Sequence, residues 1–358
     1  MNEYKMSGNK GEWSELYVFF KLLSEGKVYA ADENVLKIEE IYYPILKVKR
    51  EEVKGVDYDY CIRGDQVIIE QQSREIMTVE RYELEEQAQK LLNQIKDHKG
   101  SFGIQEIEEF CDDIKINKIK APSADTTDIN LEIQDTYTNR IRNVGFSIKS
   151  ELGSSPTLLN AGKTTNFIYE VDGLTNDQIE EINAINTRNK IQDKIKKMQE
   201  YGAIFYFKEM NNKNFRRNLI MIDSSMPEIL ANFLLCFYEN NIKECKELIQ
   251  LVGDKDPLQF GESIIYEYKF RKFLSACALG MKPAKLWDGI DEANGGYIIV
   301  KKDGEILAYH IYNRDFFEQY LLNNTICEKA STSRHDYMKL YQKNGRTYIK
   351  LNLQIRFK

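Results

Sequence analysis

The sequence predicts a mixed α/β protein with a C-terminal α+β extension. Three observations indicate this class. Residues 128–151 alternate between apolar and polar as a β-hairpin does, residues 11–27 repeat apolar side chains at helical spacing, and Asp303-Gly304 and Asn344-Gly345 mark two later hairpins. Because strand and helix signals occur in both halves of the chain, a sheet flanked by helices is favoured over an all-helical or an all-strand protein.

The composition is that of an ordinary globular protein. Of the 358 residues, 42% are hydrophobic and 30% are charged, and this length allows two domains or one large core with an extension. No apolar run approaches the roughly 20 residues that cross a bilayer, and residues 1–13 lack the apolar core of a signal peptide. The six cysteines form no C-x-x-C pair and the three histidines are far apart. We therefore expect a cytoplasmic protein with reduced thiols, without a zinc site and without a membrane span.

The net charge of −6 conceals a basic C-terminal segment. Residues 329–358 contain eight lysines and arginines and a single acid, Asp336, whereas the rest of the chain is correspondingly more acidic. A pI near 5.5 does not by itself suggest nucleic-acid binding. A local basic segment, however, can still bind the phosphates of DNA.

The first element is an amphipathic helix predicted over residues 11–27. Its apolar stripe consists of Trp13, Leu16, Tyr17, Phe20 and Leu23. Glu12 and Glu15 lie at the flank of this stripe, where they either favour the helix dipole or supply a carboxylate to a metal site. Lys10, just before the helix, is a candidate phosphate contact at the helix N-terminus.

The segment between this helix and the hairpin contains strands followed by helices. Residues 35–70 alternate in short runs and predict strands with a tight turn at Arg63-Gly64-Asp65. A charged helix is predicted from Thr78 to Lys99, and a shorter one over residues 104–114. We expect the acids of these two helices to form solvated faces.

The hairpin of residues 128–151 contains the residues that suggest chemistry. Its apolar positions are Ile129, Leu131, Ile133, Phe146 and Ile148. Period-two alternation therefore places Asp128 on the polar side of the first arm, and Ser147, Lys149 and Glu151 on one side of the second. A lysine among carboxylates on a largely buried sheet is costly unless the groups are paired or bind a metal.

This set of residues suits phosphodiester hydrolysis. Mg²⁺ prefers oxygen ligands and is bound by one or two carboxylates with water and phosphate. Asp128 is the candidate metal carboxylate, and Lys149 is a candidate for orienting or deprotonating the attacking water. Ser147 is a poor magnesium ligand, so a second acid has to come from elsewhere. The alternative interpretation is a solvated β-ribbon whose polar face only meets water.

Beyond the hairpin the elements are less specific. The polar residues of segment 154–166, among them Lys163, suit phosphate and sugar contacts but also an ordinary loop. Thr175 to Tyr201 is predicted to be one long polar helix, followed by a strand and three buried helices. We place a soft boundary near residues 170–210, with a nuclease core over residues 1–170 and a recognition region over residues 171–358.

A polar, basic loop is predicted at residues 331–335. It contains Ser331, Ser333, Arg334 and His335, and Lys339 follows it. An arginine can bind guanine O6 and N7 together in the major groove, while serine and histidine add adaptable hydrogen bonds and lysines bind phosphates. The alternative is a surface turn on a sheet edge protected by lysines.

Thr127-Asp128 and Ser147-Ile148-Lys149 resemble the Pro-Asp and Glu-x-Lys elements of the PD-(D/E)xK nuclease superfamily, with serine at the usual acidic position. Four longer strings are similar to the HpaII family of type II restriction endonucleases: GNKGEWSELYVFFKLL, DTTDINLEI, GFSIKSELGSSPTLLNAGKTTNFIYEV and STSRHDYMKLYQKNGRTYIKLNLQIRF. The resemblance spans essentially the whole chain, and it is close enough for the chain to be the enzyme after which the family is named.

The resemblance implies a nuclease-like core sheet flanked by helices and magnesium-dependent double-strand cleavage of DNA at an unmethylated CCGG site. It implies catalytic roles for Asp128 and Lys149 and leaves the second metal ligand open. The candidates for that ligand are Glu12, Glu15, Glu132 and Glu151. A palindromic site favours a homodimer. The residues themselves leave two other functions open. One is a DNA-binding module without catalysis, motivated by Ser147, and the other is a structural protein that does not bind DNA.

Overall fold

The computed structural model describes residues 6–120, 127–135, 139–240, 242–310 and 313–358. The chain forms two compact units. The first comprises Met1–Pro156 and Asp291–Tyr320, and the second comprises Thr157–Ile290 and Leu321–Lys358. The predicted division at residue 170 did not anticipate that a late segment returns to the first unit.

The first unit combines helices with one large sheet. Its helices are α1 (Lys10–Glu25), α2 (Arg81–Asp97), α3 (Gln105–Asp113) and α10 (Arg314–Asn323), the last of which contains the unit boundary. Its strands are β1 (Lys27–Ala31), β2 (Lys37–Val53), β3 (Val56–Arg63), β4 (Gln66–Gln71), β5 (Arg74–Glu80), β6 (Ile129–Asp135), β7 (Arg140–Ser150), β11 (Gly296–Val300) and β12 (Ile306–His310).

Six of these strands close into a barrel-like ring. The nine-stranded sheet has the order β1-β12-β11-β7-β6-β2-β3-β4-β5, and β1 pairs with β2 as well as with β12. Strands β3 to β5 extend the sheet beyond the ring. The late strands β11 and β12 insert between β7 and β1, with parallel pairing at both junctions. The predicted mixed α/β class is confirmed, but local alternation could not indicate the closure of the ring.

Helix α1 packs against α2 and also contacts β7, β1 and β2. Its apolar stripe is fully buried, as the periodicity predicts; Trp13, Leu16, Phe20 and Leu23 have no exposed surface. Each such side chain contributes about 1.5–3 kcal/mol through removal of apolar surface from water. The helix is therefore anchored firmly enough to hold polar side chains at a fixed position on its edge.

Both ends of α1 are determined by local sequence. The side chain of Asn9 accepts hydrogen bonds from the backbone N–H groups of Gly11 and Glu12, and Glu12 accepts one from the backbone N–H of Asn9 at 2.8 Å. This is a capping box. Gly26 ends the helix with a φ of 64°, a left-handed conformation that favours glycine.

The second unit contains two smaller sheets and a group of helices. Its antiparallel sheets have the orders β10-β9-β15-β14 and β13-β16-β8. The strands are β8 (Thr157–Leu159), β9 (Asn166–Asp172), β10 (Ile204–Met210), β13 (Thr325–Cys327), β14 (Tyr341–Lys343), β15 (Arg346–Asn352) and β16 (Ile355–Phe357). The helices are α4 (Asn176–Ala184), α5 (Lys190–Glu200), α6 (Lys213–Ile222), α7 (Met226–Glu239), α8 (Cys245–Lys255), α9 (Ser263–Leu279) and α11 (Thr332–His335).

The single helix predicted from Thr175 to Tyr201 is wrong, because the chain breaks into α4 and α5. Asn183, near the end of α4, exchanges two hydrogen bonds with the backbone of Leu340, at 2.9 and 3.0 Å. Ile185 then adopts an extended conformation. The helix thus ends beside a side chain that is held by a distant backbone segment, a contact that helical periodicity cannot show.

In the part of the chain that the structure describes, no helix by itself has both the length and the apolar character of a membrane span. Helices α6 and α7 meet these criteria only when taken together, and they are bent by 107° at the break between them.

Candidate active site

Asp128 and Lys149 lie on the same side of the sheet and are joined through Ser147. The Ser147 hydroxyl donates to Asp128 Oδ2 at 3.0 Å, and Lys149 Nζ donates to the same hydroxyl at 2.9 Å. The backbone N–H of Ile148 donates to Asp128 Oδ2 at 2.8 Å. The hairpin register, with Ile129 opposite Phe146, produces this arrangement because Ser147 and Lys149 alternate with Phe146 and Ile148 along β7.

The start of β6 is fixed by the segment that returns before β11. Thr127 Oγ1 donates to the carbonyl of Glu292 at 3.1 Å, and the backbone N–H of Gly145 donates to Asn294 Oδ1 at 2.7 Å. A Cβ atom at Gly145 would lie only 2.5 Å from Thr127 Cγ2, so the chain that enters β6 approaches β7 more closely here than a side chain allows. These contacts set the position of Asp128, which directly follows Thr127.

Glu15 of α1 brings a second carboxylate to Asp128. Lys120 Nζ lies 3.1 Å from Glu15 Oε1 and 3.3 Å from Asp128 Oδ1, so both acids face one ammonium group. Their side chains are only 14% and 12% exposed. Burial, with the nearby charge of Asp128, raises the pKa of Glu15 to about 7 despite the opposing effect of the lysines. The pair therefore favours a cation that neutralises it.

The Lys149 ammonium lies in a buried environment between these acids and an aromatic ring. Its Nζ is 5.0 Å from the ring centroid of Tyr297, which lies on the neighbouring strand β11. Burial lowers the pKa of Lys149, while the charges of Asp128 and Glu15 act in the opposite direction. A lysine with a lowered pKa is a neutral amine, able to accept a proton, in a larger fraction of molecules than an exposed lysine is.

The structure places the four candidates for the second metal carboxylate differently. Glu15 is the one that lies beside Asp128, whereas Glu12 caps its own helix. Glu132 faces Lys47 across the β2–β6 pairing, and Glu151 is exposed just beyond β7. Among the described residues, no group of three or more His, Cys, Asp and Glu side chains is arranged to hold a metal ion. Two carboxylates are nevertheless a sufficient protein contribution for Mg²⁺, which keeps several waters.

The family model of the HpaII restriction endonuclease matches residues 9–357. The chain belongs to the HpaII restriction endonuclease family. It is 39% identical to the type II restriction enzyme HpaII of Haemophilus parainfluenzae over 363 residues, which cover 100% of both chains. That identity makes it a relative of this enzyme rather than the same protein. No solved structure matches the chain. The resemblance predicted from the sequence is confirmed, and the protein is a type II restriction endonuclease.

The carboxylate pair of this HpaII-family enzyme opens into a cleft of about 890 Å³. Glu15 and Asp128 lie on its wall together with Asn130, Lys49 and Asp59. Small-molecule pockets are mostly apolar with a few polar groups. This lining is instead dominated by charged and amide side chains, so it suits a strongly polar ligand.

The predicted DNA contacts of the HpaII-family chain lie mostly in its second unit. Residues 332–335 form the short helix α11 and not the predicted loop, because the Ser331 side chain accepts from the backbone N–H of Arg334. Ser331, Ser333 and Arg334 are exposed, and His335 is half-buried with its carbonyl bound by Asn166. Serine at this position is a strong cap signal that the sequence already contained.

Two of the predicted phosphate contacts lie near the end of α11. Lys163 and Lys339 are both exposed, and their charges help to lower the pKa of Asp336, as does Lys350, which has the largest effect. Lys10 belongs to the first unit, where its ammonium donates to the carbonyl of Lys96 at 3.1 Å. The structure therefore brings Lys163 and Lys339 close to α11.

Proposed function

We propose that this restriction endonuclease hydrolyses double-stranded DNA at a short palindromic site, CCGG as in the family resemblance, with Mg²⁺ held by Asp128 and Glu15. The observation that carries the proposal is the chain of contacts from Asp128 through Ser147 to Lys149, with a second carboxylate 3.1 Å from the ammonium that Asp128 also faces. The site thus combines two carboxylates that can bind a metal ion with a buried amine.

The residues fit a hard divalent cation. Both carboxylates are mostly buried and point toward one cationic group: the Ser147 hydroxyl binds Asp128 Oδ2, while Asp128 Oδ1 faces the Lys120 ammonium. When bound, Mg²⁺ would neutralise charge on the phosphate and lower the pKa of a water. In this interpretation the site is a PD-(D/E)xK variant in which α1 supplies the carboxylate that Ser147 lacks.

Lys149 is the proposed proton acceptor or water-orienting group. Its depressed pKa favours the neutral amine more than in a solvent-exposed lysine. Ser147 holds the amine and the Asp128 carboxylate at hydrogen-bonding distance from one hydroxyl, which fixes both rotamers. Glu15 supplies the second acid that is missing from a motif with serine at its acidic position. A DNA-binding module without catalysis, which Ser147 motivated, is therefore less favoured.

DNA recognition is assigned to the second unit. The exposed guanidinium of Arg334 on α11 is the candidate base reader, with Ser331, Ser333 and His335 as adaptable partners. Lys163 and Lys339 are candidate phosphate contacts beside it, and Lys10 is a further candidate in the first unit. A two-fold homodimer would place two such surfaces on a palindrome.

The proposal is tested by plasmid cleavage with purified protein and Mg²⁺. We expect discrete fragments that disappear when every CCGG site is methylated or removed. Asp128→Asn and Lys149→Met should each lower the cleavage rate by roughly 100-fold or more while binding of DNA in Ca²⁺ is retained. Glu151→Gln is the matched control and should cleave normally. Near-normal cleavage by either site variant would overturn the assignment.

A further inference from the structure

Lys120 is the cationic group at the carboxylate pair, and no pattern in the sequence singles it out. Its Nζ lies between Glu15 Oε1 and Asp128 Oδ1, at 3.1 and 3.3 Å. These are the two carboxylates that the proposed function assigns to the metal. The side chain is 46% exposed, so it can leave the pair for solvent without crossing packed structure.

The backbone that delivers Lys120 is held by a buried ion pair on β2. Arg50 and Glu52 are 7% and 1% exposed and are bonded to each other. Glu52 accepts from the backbone N–H of Asn117 at 2.8 Å, and Arg50 donates to the carbonyls of Lys118 and Ile119. Ile119 is buried beside them. The position of the chain at Lys120 is thus built into the fold.

We propose that Lys120 is an internal counter-ion that occupies the place of the metal between Glu15 and Asp128 and that a divalent cation displaces. This inference rests on the proposed function. A magnesium ion needs carboxylate oxygens at about 2.1 Å, and an ammonium in contact with the same two oxygens blocks that approach and repels the ion.

The exchange gives Lys120 a defined effect in each state. Without metal, the ammonium offsets the repulsion of two mostly buried carboxylates and keeps them facing each other. With metal, the side chain is released into solvent, as its partial exposure allows. The measured metal affinity therefore reflects a difference between two binding free energies: that of the metal and that of the Lys120 ammonium at the same two oxygens.

The test is calcium binding to the full-length protein, measured by calorimetry without DNA. Lys120→Gln removes the competing charge and should tighten calcium binding by roughly five-fold or more. Lys120→Arg retains the charge and should show no gain. Lys118→Gln is the matched control, since Lys118 is an exposed lysine two residues earlier on the same segment.

Thermal unfolding supplies a second measurement that does not depend on activity. In EDTA, Lys120→Gln should unfold at a lower temperature than wild type, and calcium should raise its Tm by more than it raises that of wild type. Equal calcium affinities in Lys120→Gln and Lys118→Gln would overturn the displacement of Lys120.

Asp128→Asn separates the inference from the proposed function. If this change abolishes calcium binding while Lys120→Gln has no effect, the metal site stands and the role of Lys120 fails. If Asp128→Asn leaves calcium binding unchanged, the proposed metal site fails and the inference fails with it.

Discussion

The hydroxyl of Ser147 lies 3.0 Å from Oδ2 of Asp128, across the two strands of the hairpin. The same hydroxyl accepts a hydrogen bond from Lys149, and the residue Ser147 is only 1% exposed. A serine is too short and too weak a ligand to replace a carboxylate at a metal. It can, however, hold both neighbouring side chains in position.

Ser147→Ala tests this positioning role. The change removes one donor to Asp128 and the acceptor of Lys149, so we expect the single-turnover cleavage rate to fall by roughly 10- to 100-fold. The free energy of unfolding should fall by only about 1–2 kcal/mol. Ser150→Ala, on the same strand as Ser147, removes the hydrogen bond from Ser14 of α1 and should leave the rate unchanged. An unimpaired Ser147→Ala enzyme would show that the hydroxyl is dispensable.

The ion pair of Arg50 and Glu52 should be strongly coupled. Arg50→Met leaves Glu52 buried without its charged partner, and we expect a loss of about 3–5 kcal/mol in the free energy of unfolding. Arg50→Met combined with Glu52→Gln removes the uncompensated charge and should recover part of this loss. Urea unfolding of the two single variants and the double variant measures the coupling. Additive effects would contradict the pairing.

The buried side chain of His310 should make the protein less stable in acid. Burial lowers its pKa to about 4, while Asp135 acts in the opposite direction. A histidine with a lowered folded-state pKa contributes stability that is present above its unfolded value near 6.5 and is lost as the pH falls toward 4. Between pH 7.5 and 5, wild type should lose about 2 kcal/mol more than His310→Phe in urea unfolding.

His310→Phe is a suitable comparison because a ring is retained. His310 stacks on Tyr43 with centroids 4.8 Å apart and lies near Phe146. Phenylalanine preserves an aromatic surface there but cannot bind a proton. Parallel pH profiles for the two proteins would contradict the lowered pKa.

The surface at α11 should show two kinds of DNA contact. Arg334→Ala should weaken binding to the cognate duplex in Ca²⁺ by about 1–3 kcal/mol and have little effect on a scrambled duplex. Lys339→Ala should weaken both and reduce the slope of log K against log salt by about one. Lys99→Ala, an exposed lysine of the first unit, is the control. Equal losses on both duplexes for Arg334→Ala would remove its role in base reading.

Local sequence patterns predicted the elements that form the candidate site. Alternation located β6 and β7 with the correct faces, and helical spacing located α1 with Glu15 at the edge of its stripe. These predictions depend only on neighbours in the chain, for which periodicity is informative.

The remaining features depend on contacts between distant residues. The bond from Thr127 to Glu292 spans 165 residues, and the ring closes only when β11 and β12 return to β7 and β1. Lys120 follows a segment without a periodic pattern, and Arg50 and Glu52 determine its course. Sequence could therefore identify four candidate acids but could not select Glu15 from among them.

Single-turnover cleavage of a short CCGG duplex by Glu15→Gln and Glu12→Gln, at saturating Mg²⁺, tests the central claim most directly. The two acids lie three residues apart on one helix, but Glu15 faces Asp128 and Glu12 caps the helix. We expect Glu15→Gln to cleave roughly 100-fold or more slowly. Glu12→Gln should stay within a few-fold of wild type and lose about 1 kcal/mol of stability instead. Normal cleavage by Glu15→Gln would contradict the proposed second carboxylate.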